Sequence, residues 1–330
     1  MTLQQAMVKW LTLYKRPVLK QTSYDTLFRT CRNYIFKVFG DKEIKEINSD
    51  DIQEYLIDLQ YSQEKSYSTA KKVHDALNDF YQHALDKGIV EDNIVKAVKC
   101  KNLQRNKYIK PRSFTLEEVQ RFITAATLTN NYGDNIYHYG PLLVVYLHTG
   151  LRLGELIGAK INDYDPATGR LAIHGNIEVI SNYDSKGILI SGVHTIYQDT
   201  PKTKDSIRVI FLNKTAQKYL YPYYVHSLRC NSDFLITSPS GKQVSPSSIQ
   251  STYNYVVKRA NIYKGKGVHT LRHTCATHLL DDNTHDVDIK VVSRVLGHAS
   301  VKITYDKYIH TDDFHNTSAL DTLDARFNFS

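Results

Sequence analysis

The chain is 330 residues long, 42% apolar, and carries a formal charge of +8. That length suits about two domains with a core each, and its most apolar run, PLLVVYL at 141–147, falls far short of the ~18 residues a membrane span needs. The opening MTLQQAMVKW lacks a signal peptide's apolar core, and Cys31, Cys100, Cys230 and Cys275 are too scattered for a zinc module or a secreted disulfide framework. The expectation is therefore a soluble cytoplasmic protein with no metal and no cofactor.

From residue 2 to about 99 the apolar spacing predicts helices. MVKWLTLYK repeats at three and four, SDDIQEYLIDLQ starts with Ser49 as N-cap, and STAKKVHDALNDFYQHALDKG runs to Gly88 as a stop. A helical domain of four or five helices over 1–99 follows, with Lys71 and Lys72 near a helix start as candidate DNA contacts. The stretch KAVKCKNLQRNKYIKPR, 96–112, holds no acidic residue. A single-sign run between domains suits a linker strapped across a phosphate backbone, so 100–111 reads as the linker, and Lys99, Lys101, Arg105, Lys107 and Lys110 as DNA-binding. The overall positive charge points the same way, because bound Lys and Arg release the counterions condensed on nucleic acid.

A second domain, 112–330, opens at SFTLEEVQRFITAA, where Thr115 and Glu118 have capping-box spacing. The helical pattern continues through YGPLLVVYLHTG, ended by Gly150, and LRLGELIGAK. RLAIHGNIEVI, GILISGVHTIYQ and SIRVIFL are β-branched runs parted by turn residues, and they predict a three-stranded sheet or hairpin elaboration between about 170 and 212. Helices return at KTAQKYLYPYYVHSL, SPSSIQSTYNYVVKRA, HTLRHTCATHLLDD, VDIKVVSRVLG and SVKITYDKYIH. The fold class is mainly α with a small antiparallel β-sheet (α+β).

HTLRHTCATHLL, 269–280, crowds His269, Arg272, His273 and His278 among core residues, and buried cations need an anion. His269 and His273 are four apart, as zinc ligands on a helix would be. The glutamate of an HExxH motif is missing, no cysteine with ligand spacing stands near, and Arg272 lies between them, so metal is not expected. His273 and His278 are taken as structural. Arg152 in TGLRLGEL, Lys202 in TPKTKDSIRVI and His298 after Gly297 are weak signals singly. With His269 and Arg272 they form a set suited to a phosphodiester, with guanidinium and ammonium donors for nonbridging oxygens and imidazoles that donate or relay protons near neutral pH. For a nucleophile, LGHASVKITYDKYIH offers Tyr305 and Tyr308 on adjacent turns, and periodicity does not choose between them.

Taken in order, these boxes make the chain resemble the tyrosine recombinase family, the integrases of phages and conjugative transposons, over most of its length. The resemblance implies a helical core-binding domain followed by a catalytic domain. It places the first catalytic arginine at Arg152 with its supporting acid at Glu155, the sheet lysine at Lys202 with Lys204 as the competing position, the H-x-x-R box at His269 and Arg272, and the last box at His298. The family's spacing from that histidine selects Tyr308 over Tyr305. Tyr308 would attack phosphorus in line, forming a 3′-phosphotyrosyl link and expelling the 5′-hydroxyl. Arg152 and Arg272 would clamp the nonbridging oxygens, Lys202 would protonate the leaving oxygen, His269 would accept the tyrosine proton, and His298 would hydrogen-bond the phosphate. Glu155 would orient this group.

The expected activity is site-specific recombination of double-stranded DNA through a Holliday junction, by a homo-tetramer that is monomeric when free and works with an accessory directionality or bending protein. The rivals are a type IB topoisomerase-like relaxing enzyme and a catalytically silent DNA-binding descendant. Resemblance further implies that the arm-binding domain many relatives carry at the N-terminus is absent or removed. The stretch 174–199 exceeds the compact hairpin of simple recombinases, and reads as an inserted β element that touches DNA or a neighbouring subunit, or as an inert loop. The tail 309–330, with Phe314, Leu320, Leu323 and Phe327, is expected to dock on a neighbouring protomer.

Overall fold

The computed structural model describes residues 1–103, 113–184, 186–199, 207–263, 267–280, 288–297 and 300–308, with 306–308 described by their backbone alone. The chain divides into two compact units, Met1–Lys110 with Glu178–Ile196, and Pro111–Ile177 with Tyr197–Ser330.

The first unit is built on α1 (Leu3–Trp10), α2 (Gln21–Thr30), α3 (Phe36–Phe39), α4 (Ser49–Tyr61) and α5 (Tyr67–Asp86). α5 is the central helix: Ala70, Val73, Ala76, Leu77, Phe80, Tyr81 and Ala84 repeat at three and four and are all buried, the stripe that lets one helix face a core. Trp10 of α1 meets Phe80 edge-on, with ring centroids 5.7 Å apart. The cap of α4 is Asn48, not Ser49. Asn48 has the extended backbone a cap requires, its Oδ1 accepts the amides of Asp50 and Asp51, and Asp51 returns a bond to the Asn48 amide. α5 ends at Asp86, and Gly88 follows with φ +67°.

In the second unit α6 (Leu116–Ala126) starts from the Thr115–Glu118 capping box. α7 (Gly140–Thr149) is apolar on every side and almost wholly buried, as a central helix must be, and it packs against α6, α9 (Lys214–Arg229), α10 (Pro246–Arg259) and α11 (His269–Leu280). Gly150 ends α7 with φ +58°, and α8 (Leu153–Gly158) begins three residues later. β1 (Tyr164–Asp165), β2 (Arg170–Ile173) and β5 (Arg208–Phe211) form an antiparallel sheet in the order β1-β2-β5. In its register Leu171 faces Ile210 and Ile173 faces Arg208. Two-residue alternation therefore sends Arg208 to the core face with Ile210 and Leu171, while Val209 and Phe211 face outward and are exposed. α12 (Ile289–Leu296) and α13 (Val301–Tyr308) close the described chain and pack on α11 and on each other.

The β-branched runs thus do not make one sheet. Among the described residues β3 (Asn176–Tyr183) and β4 (Leu189–Gln198) pair only with each other, and residues 178–196 of this hairpin belong by their contacts to the helical unit. The attachment is specific. Asp25 of α2, 5% exposed, accepts the Ser181 amide at 3.1 Å and the Tyr183 hydroxyl at 2.7 Å, and the Tyr24 hydroxyl donates to the Gly187 carbonyl at 2.7 Å. Tyr24, Phe28 and Tyr183 pack their rings together beside these bonds.

Asp25→Ala would strand a buried amide and a half-buried hydroxyl, at a cost of about 1–3 kcal/mol. Urea unfolding should show a loss of that size, and hydrogen exchange at the Ser181 amide should accelerate. Unchanged exchange would mean that the rings alone hold the hairpin.

Candidate active site

Every described member of the site lies in the second unit, at the junction of α7, α8, β5, α11 and α12. In TGLRLGEL, Gly150 turns the chain and leaves Arg152 in extended backbone before α8. The Arg152 amide donates to Glu155 Oε2 at 2.8 Å and its Nη1 to Oε1 at 2.7 Å. From the sheet, Arg208 Nη1 reaches Oε1 at 3.2 Å and Nη2 reaches Oε2 at 2.9 Å. Burial pushes the Glu155 carboxyl up, but the hydrogen bonds and charge of Arg208, with the amide and charge of Arg152, outweigh it, so its pKa lies below the ordinary value.

The same guanidiniums take up the carbonyls that α12 leaves open at its C-terminus. Arg208 Nε donates to Val295 O at 3.0 Å, Arg272 Nη2 to Leu296 O at 2.8 Å, and Arg152 Nη2 to Gly297 O at 2.7 Å. Arg272 Nη1 also holds the Gly150 carbonyl at 2.7 Å. Gly297 adopts φ +67°, and a Cβ there would lie 2.5 Å from Arg208 Nη1. Glycine is therefore required both by the backbone and by the packed guanidinium. Two guanidiniums share a single carboxylate, and the third, Arg272, is held beside them by carbonyls alone, leaving a surplus of positive charge. The Arg208 and Arg272 residues are buried, whereas the Arg152 side chain is 41% exposed and opens the cluster to solvent.

His269 begins α11, one turn before Arg272, and its Nδ1 lies 3.1 Å from the hydroxyl of Tyr146 on α7. Burial, then the charges of Arg272 and Arg152, lower its pKa, which favours the neutral imidazole. Tyr308 is the last residue of α13, the helix that follows the arginine-held end of α12; Tyr305, one turn earlier, is exposed. Lys202, Lys204 and His298 lie outside the described residues, as do the side chain of Tyr308 and the tail 309–330. Among the described residues no group of three His, Cys, Asp or Glu could hold a metal ion, and no helix is long and apolar enough to cross a membrane.

The structure thus brings Arg152, Glu155, His269 and Arg272 together. His278 stands apart: its Nε2 donates to the Phe114 carbonyl at 2.8 Å, while Thr274 Oγ1 accepts the Phe114 amide, a tie that anchors the start of the unit. His273 is half-buried on the same helix. Lys71 and Lys72 are exposed on α5, and Lys71 pairs with Asp75 at 3.2 Å, a weak surface ion pair. Lys99 and Lys101 are exposed where the chain leaves the helical unit, and Gln53 and Gln60 of α4 hold their backbone. Arg105, Lys107 and Lys110 lie outside the described residues.

Sequence reasoning missed Arg208 and Tyr146. The signal for Arg208 is its place in IRVIF, where strict alternation puts a charged residue on the core side; for Tyr146 it is a phenol inside an otherwise apolar helix.

The model of the phage integrase family matches residues 112–315, and that of the phage integrase central domain matches residues 3–101. A tyrosine recombinase XerC-like protein of Caldanaerobacter subterraneus subsp. tengcongensis is 28% identical over 343 residues, covering 99% of this chain and 83% of its own length. Tyrosine recombinase XerD of Bifidobacterium longum is 26% identical over 273 residues, covering 80% of this chain and 78% of its own. Among solved structures, the Tn1549 transposon integrase in complex with a circular intermediate DNA superposes with a TM-score of 0.74 at 19% identity, over 98% of this chain and 99% of that one. A lambda integrase tetramer bound to a Holliday junction gives 0.66 at 16% identity, over 94% and 78%. At these identities the two structures share the fold with this chain.

Glu155→Ala would leave Arg208 buried without its counter-charge, which costs about 3–5 kcal/mol. Urea denaturation should show this loss at neutral pH. The folded carboxyl titrates below its unfolded value of about 4.3, so the penalty is full above that pH and fades as the pH falls through the folded value.

Proposed function

Because the chain belongs to the phage integrase family, we propose that it is a tyrosine-type site-specific DNA recombinase that cuts and rejoins double-stranded DNA through a 3′-phosphotyrosyl intermediate. The observation that carries this reading is the pair Arg152 and Arg208 on one carboxylate, with Arg272 beside them on the Gly150 and Leu296 carbonyls, at the end of the helix that precedes α13.

In this reading the scissile phosphate is the anion that the cluster awaits. Tyr308 attacks phosphorus in line and the 5′-oxygen departs. The energy of the broken bond stays in the phosphotyrosyl ester, so rejoining needs no ATP. Negative charge builds on the nonbridging oxygens as the bond to the 5′-oxygen lengthens. Arg152 and Arg272 stand ready to meet it, already oriented by bonds to Glu155 and to backbone carbonyls, and preorganised donors of this kind dominate catalysis in water-poor sites. Lys202 supplies the proton to the leaving oxygen, and His298 hydrogen-bonds the phosphate. Glu155 orients the guanidiniums and does not itself react.

The helical domain 1–99, the linker 100–111 and the catalytic domain 112–330 would together engage duplex DNA, with Lys71, Lys72, Lys99, Lys101, Arg105, Lys107 and Lys110 on the backbone. A tetramer on a Holliday junction, as in the lambda integrase structure, is the assembly proposed for strand exchange, with an accessory directionality or bending protein and the tail 309–330 joining neighbouring protomers. The protein would work on DNA in the cytoplasm.

Tyr308→Phe should keep DNA binding and abolish the covalent adduct on a nicked suicide substrate, whereas Tyr305→Phe still forms it; an adduct with Tyr308→Phe rejects the assignment. Strand exchange between two duplexes, beyond relaxation of supercoils, separates recombinase from topoisomerase. Cleavage should also proceed at an undiminished rate in EDTA, since guanidiniums and lysine supply the charge stabilisation that divalent ions give many nucleases; full dependence on magnesium contradicts the mechanism.

A further inference from the structure

We propose that Tyr146 is a positioning residue that fixes His269 in the tautomer with its proton on Nε2, so that the imidazole enters the site as a hydrogen-bond donor. Its catalytic consequence rests on the recombinase reading; the tautomer itself does not.

Tyr146 is fully buried in α7, a helix otherwise apolar on the same face. A phenol in such surroundings costs stability unless its hydroxyl is bonded, and that hydroxyl lies 3.1 Å from His269 Nδ1. The titratable and charged groups bearing on His269 are Tyr146 from α7, Arg152 from the start of α8, and Arg272 from its own helix. Both arginines disfavour a third cation, which leaves a neutral ring with one donor and one acceptor nitrogen.

Direction follows from relative basicity. A phenolic oxygen delocalises its lone pair into its ring and accepts poorly, whereas an imidazole nitrogen is a strong acceptor, so the bond runs O–H to Nδ1. With Nδ1 occupied as acceptor, the ring proton sits on Nε2. Nε2 has no hydrogen-bond partner among the described residues, and its N–H is available to a phosphoryl oxygen beside Arg152 and Arg272. A base at this position would need the opposite tautomer, with Nδ1–H donated to the weaker phenolic acceptor. This proposal differs from the family-based expectation of His269 as proton acceptor. His269 donates its proton into a hydrogen bond without transferring it, and the phenolic proton of Tyr308 leaves through the phosphate or solvent.

The test uses the full chain with ¹⁵N-labelled histidine. Two-bond nitrogen–proton correlations report the tautomer of each ring, and the signal missing from His269→Gln identifies the relevant one among 14 histidines. The native protein should show the Nε2–H pattern without any DNA. In Tyr146→Phe that preference should weaken toward the mixture of tautomers of a free histidine, and the titration midpoint of His269 should rise, because a bond that favours the neutral ring is gone. Single-turnover cleavage of a nicked duplex should fall about 10-fold with DNA binding unchanged. An Nδ1–H pattern in the native protein overturns the proposal, as does a Tyr146→Phe variant that keeps both its tautomer and its cleavage rate. If Tyr308→Phe were still to form the adduct, the recombinase reading would fail while the tautomer result stood.

Discussion

The Glu155 carboxylate is the constraint on which the site depends. Two guanidiniums would repel at this separation in a medium of low dielectric, and the third nearby adds to the strain. One buried carboxylate, bonded through both oxygens to Arg208 and through Oε1 to Arg152, makes the arrangement tolerable. Because Arg208 is fixed at both ends, by Glu155 and by the Val295 carbonyl, it transmits the position of the sheet to the end of α12. The cluster therefore does two jobs at once. It concentrates positive charge at one place, and it ties the end of α12 to the sheet and to the start of α8.

A site of this kind avoids a common difficulty of cationic pockets. Arginines waiting for a phosphate would ordinarily spread into solvent and have to be gathered on binding. Here backbone carbonyls of residues 150, 295, 296 and 297 hold them in place. Carbonyl dipoles are weaker partners than a phosphate, so the guanidiniums remain able to favour the stronger anion while their geometry is already set.

Local signals in the sequence were legible where a local rule decides. The Thr115–Glu118 box caps α6 and Gly150 ends α7 in left-handed conformation, each dictated by residues within one turn. The α4 cap moved one residue, to Asn48, because asparagine and serine compete for a cap and the residue with extended backbone takes the role. Strand pairing was not legible. Three apolar runs between 170 and 212 looked alike, yet β2 pairs with β5 and with a two-residue β1 that carries no periodic signal, while β3 and β4 leave the sheet altogether. Pairing is decided by partners far apart in sequence, and burial of Arg208 follows only once the register is known. At the site, Arg152, Glu155, His269 and Arg272 could be picked out because each sits in a short box. Tyr146 shows only as a phenol in an apolar helix, and nothing local says that its hydroxyl meets His269, 123 residues away in the chain.

The β3–β4 hairpin alters what counts as a module. Its strands start and finish among residues of the second unit, but residues 178–196 complete the core of the first, where Tyr183, Ile188 and Leu189 pack against the helical cluster. The helical segment is thus not self-sufficient. Excised at residue 103, it would expose Tyr24 and Phe28 and leave the Asp25 carboxyl without its two donors from the hairpin. Conversely, a protease cutting within 104–112 would sever one covalent connection and still leave the fragments held together by a piece that each regards as its own, so the nicked protein should migrate as a single species until denatured.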